Sequence, residues 1–224
     1  MPAPGDLGRL AAQVFDAVLF DLDGTLVDST PAVERSWRGW ADQYGLAPGA
    51  WRMAHGVPAR QVLGSLVAAA ELDHQLAVLE QLEIADVDGV VALPGAVAAL
   101  AALPAGRAAV VTSGTRPLAH ARIRHTGLPA PDVVVTASDV SVGKPHPEPY
   151  LLAARRLGAD PRRCLVVEDA PAGITSARAA GCAVLAVTTT HPPAELDADA
   201  VVLDLAAVRL VADPDGVRVR FHPA

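Results

Sequence analysis

At 224 residues the chain can bury one substantial domain carrying an insert, and it is short for two independent domains of ordinary size. An apolar fraction of 51 % against 19 % charged residues excludes a disordered chain and suits a packed α/β core. The formal charge of −7 offers no basic face to nucleic acid or to an anionic membrane, so neither is an expected partner.

In chain order, the first twenty residues contain Asp6, Arg9 and Asp16 and no signal-peptide core, and no apolar run approaches the roughly 18 residues of a membrane span. The expected location is the cytoplasm. Ala17 to Phe20 is an unbroken apolar run ending in Asp21-Leu22-Asp23-Gly24, which reads as a buried parallel strand followed by a tight turn. From Pro31 to about Val90 there are three helical stretches and no convincing strand. The first takes Thr30 as N-cap and Pro31 as its first helical residue, and carries an apolar stripe of Val33, Trp37, Trp40 and Tyr44 that stops at Gly45. Packing within the insert is the expected use of that stripe.

Leu93-Pro94-Gly95 returns the chain to the alternating pattern. Apolar runs recur at Ala108 to Val111, Val133 to Val135, Leu165 to Val167 and Ala183 to Val187. Helices fall at Pro117 to Thr126, Glu148 to Leu157 and Ala172 to Ala180, each closed by a glycine: Gly127, Gly158 and Gly181. The pattern predicts an α/β fold, a doubly wound parallel sheet with helices on both faces. Its core is residues 1–29 and 94–224, and residues 30–93 form an all-helical insert. The crossings near Ser29 and Pro94 are short enough to act as hinges. Val208 to Val211 and Val217 to Phe221 flank Pro214-Asp215-Gly216 and predict a hairpin on the sheet edge. Cys164 and Cys182 lack metal-ligand spacing and read as reduced core thiols.

Ligands of such a sheet lie beyond the carboxyl ends of its strands. After the first run come Asp21 and Asp23; after the second, Thr112-Ser113-Gly114; after the fourth, Glu168-Asp169; and Lys144 lies in the loop that follows the third. Four carboxylates at one edge repel one another in a partly dry site unless a cation and a lysine offset them. A metal is therefore implied, and oxygen donors without clustered histidine or cysteine favour Mg²⁺ over zinc. Lys144 is the only lysine among 18 basic residues, which suggests a place where the planar fork of arginine does not fit.

The string Val18-Leu19-Phe20-Asp21-Leu22-Asp23-Gly24-Thr25-Leu26-Val27 resembles the first motif of the haloacid dehalogenase superfamily. Ser113, Lys144 and Glu168-Asp169 stand in the order of its other three motifs. The longer strings 111–116, 143–150 and 168–173 are similar to phosphatases of sugar and glycerol phosphates, including the 2-deoxyglucose-6-phosphatase type, and the helical insert resembles that family's cap domain. The resemblance implies a hydrolase with Asp21 as nucleophile, forming an aspartyl phosphate, and Asp23 as general acid and base. It implies Mg²⁺ held by Asp21, the Asp23 carbonyl and Asp169, with Glu168 a direct or water-mediated ligand. Ser113, the Gly114 amide and Lys144 would hold the phosphate, with Thr112 in place of Ser113 if the strand ends one residue earlier.

Met53 to Arg60 resembles the specificity loop of the cap, making His55, Gly56 and Arg60 candidates for substrate binding. Related glycerol phosphatases tend to carry arginine two residues after this glycine, where the present chain has Pro58, so the exact sugar or polyol phosphate stays open. The expected assembly is a monomer or weak dimer. A sugar phosphomutase of the same superfamily is the alternative; such enzymes place a histidine where this chain has Val33. Phosphonate cleavage would need a cap lysine, which is lacking. A non-catalytic phosphate-binding regulator would be expected to have lost a motif carboxylate, and all are present.

Overall fold

The computed structural model describes residues 7–47 and 59–221. The elements in chain order are α1 (Leu7–Ala11), β1 (Ala17–Phe20), β2 (Val27–Asp28), α2 (Thr30–Tyr44), α3 (Ala59–Gly64), α4 (Leu72–Ala85), β3 (Val91–Ala92), α5 (Ala96–Ala101) and β4 (Ala108–Val111). There follow α6 (Arg116–Thr126), β5 (Val133–Val135), α7 (Glu148–Leu157), β6 (Cys164–Glu168), α8 (Pro171–Ala179), β7 (Ala183–Val187), β8 (Ala200–Val202), β9 (Val208–Asp213) and β10 (Gly216–Phe221).

Six strands form a parallel sheet in the order β5-β4-β1-β6-β7-β8. Val18 and Phe20 point into one buried cluster with Val110, Leu165 and Val167, closed by α5 and α6. Leu19 points the other way, among Ala109, Val111 and Val166, beneath α7 and α8. Both faces are covered, which is why these strands read as continuous apolar runs and not as alternating ones. Each large aliphatic side chain so buried contributes on the order of 2 kcal/mol.

Helices α2, α3 and α4 carry a separate cluster of Trp37, Trp40, Ala41, Leu63 and Leu79. Trp40 is fully buried, donates from its indole N–H to Gln75 Oε1 at 2.9 Å, and stacks on Tyr44 with ring centroids 5.4 Å apart. The apolar stripe of α2 is thus chiefly used inside the insert. The two crossings are joined to each other: β2 and β3 pair antiparallel, Val27 with Ala92 and Asp28 with Val91.

Two expectations need correction, and one strand is additional. Thr30 is the first residue of α2 and does not cap it; its amide donates to Asp28 Oδ1 at 3.0 Å, while the hydroxyl of the capping residue Ser29 is turned to Asp23. The hairpin β9–β10 does not extend the sheet edge, because the edges are β5 and β8. It docks beside the start of β1, where Phe15 exchanges backbone hydrogen bonds of 2.8 and 2.7 Å with Val217. Leu210, Val217 and Val219 are buried there, so the hairpin's apolar face is used to cover the sheet. The sixth strand, β8, is only three residues long and gave no clear run. Among the described residues no helix is long and apolar enough to cross a membrane.

Candidate active site

The chain builds β1, β4 and β5 outward in one direction and then returns to lay β6, β7 and β8 on the other side of β1. That reversal opens a crevice at the carboxyl ends of the strands. Asp21 follows β1, Thr112 follows β4, Lys144 lies beyond β5, and Glu168 closes β6 with Asp169 next to it. All five line one cavity of about 1090 Å³, which Val33, Trp37, Leu79 and Glu83 of the insert also border.

Lys144 is at the floor of the cavity, 6 % exposed. Its ammonium donates to Asp21 Oδ1 at 2.5 Å, Glu168 Oε1 at 2.7 Å and the Val111 carbonyl at 2.9 Å. Burial alone would lower its pKa, but Asp21 and Glu168 outweigh that and hold it above the ordinary lysine value. Glu168 is fully engaged: Oε1 also accepts from the Tyr150 hydroxyl at 2.8 Å, and Oε2 accepts the amides of Asp169 and Ala170 at 3.0 and 3.2 Å. A Cβ at position 173 would collide with that carboxylate, so the glycine lets α8 begin directly behind it.

Asp21, Glu168 and Asp169 each present an oxygen within 4.8 Å of the others. Burial pushes Asp169 up to about 7, and it raises Asp21 well above the carboxylate range against the pull of Lys144. Three carboxylates sharing one ammonium have more negative charge than the protein offsets, and their all-oxygen donor set suits a hard divalent cation. Thr190, beyond β7, donates to Asp169 Oδ2, and Thr25 donates to Asp169 Oδ1 at 3.4 Å. Gly24, at φ +87°, makes the turn after Asp23; a side chain there would run into Asp169 and Thr190.

Asp23 lines the same cavity as Asp21, Glu168 and Asp169 but stands outside the group of three that could share a cation. The Asp23 carboxylate accepts from Ser29 Oγ at 2.8 Å and from Thr112 Oγ1 at 3.5 Å, while Arg122 Nη1 lies 2.7 Å from its Oδ1. A buried guanidinium and two neighbouring hydroxyls thus hold this carboxylate by charge-assisted hydrogen bonds.

Thr112 is buried and takes the Gly114 amide on Oγ1 at 3.0 Å, so that amide is satisfied within the loop. Ser113 is exposed on the cavity wall. Arg60 also reaches the cavity, but its guanidinium pairs with Asp73 at 2.6 Å. His55 and Gly56 lie outside the described residues. The residues missed from sequence are Thr190, Tyr150, Arg122 and Glu83. Thr190 was accessible to the same rule that found the others, since it follows the fifth apolar run. Arg122 was signalled by a charge on the face of α6 that also carries Leu118, Ala119 and Ile123.

A family model described as haloacid dehalogenase-like hydrolase matches residues 15–181. Hexitol phosphatase A of Escherichia coli is 47 % identical over 205 residues, covering 88 % of this chain and 95 % of that protein. Glycerol-1-phosphate phosphohydrolase 2 of Saccharomyces cerevisiae is 37 % identical, covering 78 % and 75 % respectively. Among solved structures, a HAD family hydrolase from Deinococcus radiodurans with bound phosphate and sodium superposes with a TM-score of 0.61 at 30 % identity, covering 86 % of this chain and 92 % of that one.

Proposed function

Since the chain belongs to the haloacid dehalogenase-like hydrolase family, we propose that it is a Mg²⁺-dependent phosphoric monoester hydrolase acting on a small phosphorylated sugar or polyol. The observation that carries the proposal is the Lys144 ammonium clamped between Asp21 and Glu168, beside Asp169, at the floor of the cavity. Relatives acting on hexitol and glycerol phosphates support the substrate class.

In this reading Asp21 attacks phosphorus and the ester oxygen leaves with the proton of Asp23, giving an aspartyl phosphate and the free alcohol. Asp23 then takes a proton from water as that water displaces phosphate from Asp21. Lys144 holds Asp21 oriented and offsets charge on the phosphoryl oxygens, with Ser113 and Thr112 along their path. Asp21, the Asp23 carbonyl and Asp169 would hold Mg²⁺, which when bound neutralises the transferring group. Glu168, each of whose oxygens already accepts two hydrogen bonds, supports an indirect role there better than direct ligation. Residues 30–93 are assigned as the cap that closes over this chemistry, with Arg60, His55 and Gly56 as its candidate substrate-binding residues. A cytoplasmic location and a monomeric or weakly dimeric state complete the proposal.

The test is phosphate release from a panel of sugar, polyol and carboxylate-bearing phosphate esters, with Mg²⁺ and with chelator. The expected result is Mg²⁺-dependent release with the highest kcat/KM on sugar or polyol esters. Isomerised hexose phosphate without free phosphate would identify a mutase instead, and no turnover on any ester would refute the enzyme.

A further inference from the structure

Arg122 lies in the middle of α6, and its side chain is 6 % exposed. A guanidinium is tolerated at such a place only where carboxylates meet it. Two do, and they belong to different parts of the chain. Nη1 lies 2.7 Å from Asp23 Oδ1 in the turn after β1, and Nη2 lies 3.8 Å from Glu83 Oε2 on α4 of the insert. One turn earlier on α4, Glu80 accepts a hydrogen bond from Thr115 at the start of α6. Burial keeps Glu83 from being an ordinary surface acid and pushes it up to about 7, against the attraction of Arg122.

We propose that Arg122 is a positioning residue for the reaction: it fixes the Asp23 carboxylate and ties it, through Glu83, to helix α4 of the insert. Proton transfer by Asp23 is thereby linked to the seating of the insert over the cavity. The planar fork suits this task because its two terminal nitrogens, fixed in one plane, hold carboxylates from two elements in a set geometry, which a freely rotating ammonium would hold less firmly. The inference rests on the proton-transfer role of Asp23 proposed above.

A double-mutant cycle tests it. With an active polyol ester and Mg²⁺, Arg122→Gln should lower kcat roughly 10- to 100-fold with KM changed less than about 3-fold, and Arg122→Lys should recover part of the loss. Under single-turnover conditions, adding Arg122→Gln to Asp23→Asn should cost less than about 2-fold more, because a residue that acts through Asp23 then has nothing left to act on. Additive losses, a change confined to KM, or an unchanged kcat would overturn the proposal. If Arg122→Gln does not fold, Glu83→Gln takes its place in the cycle, expected to slow the wild-type background a few-fold and the Asp23→Asn background not at all; equal slowing in both overturns it. A wild-type protein that releases no phosphate from any ester would refute the enzyme reading itself, whereas an active wild type with additive losses refutes only the placing of Arg122.

Discussion

Lys144 has three ammonium protons and three acceptors, drawn from the carboxyl ends of β4 and β6 and from the residue after β1: the Val111 carbonyl, Glu168 Oε1 and Asp21 Oδ1. The Tyr150 ring lies 5.1 Å from the ammonium and closes the remaining side. This is a pocket for a compact tetrahedral donor, and a planar guanidinium on a longer stem would have to displace one wall of it. Lys144→Arg is therefore expected to lower kcat by roughly 100-fold, as for loss of a group aimed at developing charge, with the fold retained. Kinetics at saturating ester, with a melting curve as control, would check this; a wild-type rate would make the lone lysine incidental. Its solitude in the sequence was a compositional hint, and its triple contact supplies the physical reason.

The contact between α4 and α6 is built from Glu80 with Thr115 and Glu83 with Arg122. Burial raises the Glu83 carboxyl from 4.5 to about 7, with Arg122 opposing the rise. Because the folded value exceeds the unfolded one, folding favours the protonated acid. The stability this contributes is complete below pH ~4.5 and is lost as pH climbs toward 7. Glu83→Gln lacks that titration, so it should gain on the wild type as pH rises, from near zero at pH 4 to about 3 kcal/mol at pH 8 by the linkage of pKa to free energy. Chemical denaturation of both proteins across that range would show it; a pH-independent difference would contradict the burial of Glu83. Elements such as these divide by how local their cause is. The strands β1, β4, β5 and β7 and the three glycine-closed helices were legible because buried apolar runs and left-handed helix ends are set within a few residues. The docking of the hairpin against Phe15, the pairing of β2 with β3, and the turn of Asp23 toward Arg122 were not. Each depends on a partner far along the chain, Val217 for Phe15, Ala92 for Val27 and Arg122 for Asp23, that leaves no local mark.

At the scale of the molecule, one sheet reversal and one insertion account for the arrangement. The reversal at β1 brings carboxylates from 21, 168 and 169 to one edge, and the insert borders the cavity they floor. Order along the chain was enough to gather Asp21, Lys144, Glu168 and Asp169, because every one of them follows an apolar run. It was not enough for the side of the cavity that faces the insert, where helix packing decides which residues are turned inward. The central claim is that this convergence makes Asp21 the acceptor of a phosphoryl group. Its most direct test is to mix the protein with Mg²⁺ and an active polyol ester, quench with acid, and locate the phosphoryl group by peptide mass spectrometry. A phosphoryl group on Asp21, absent from Asp21→Asn together with all turnover, is the predicted result; one carried by another residue, or steady turnover by Asp21→Asn, would contradict it.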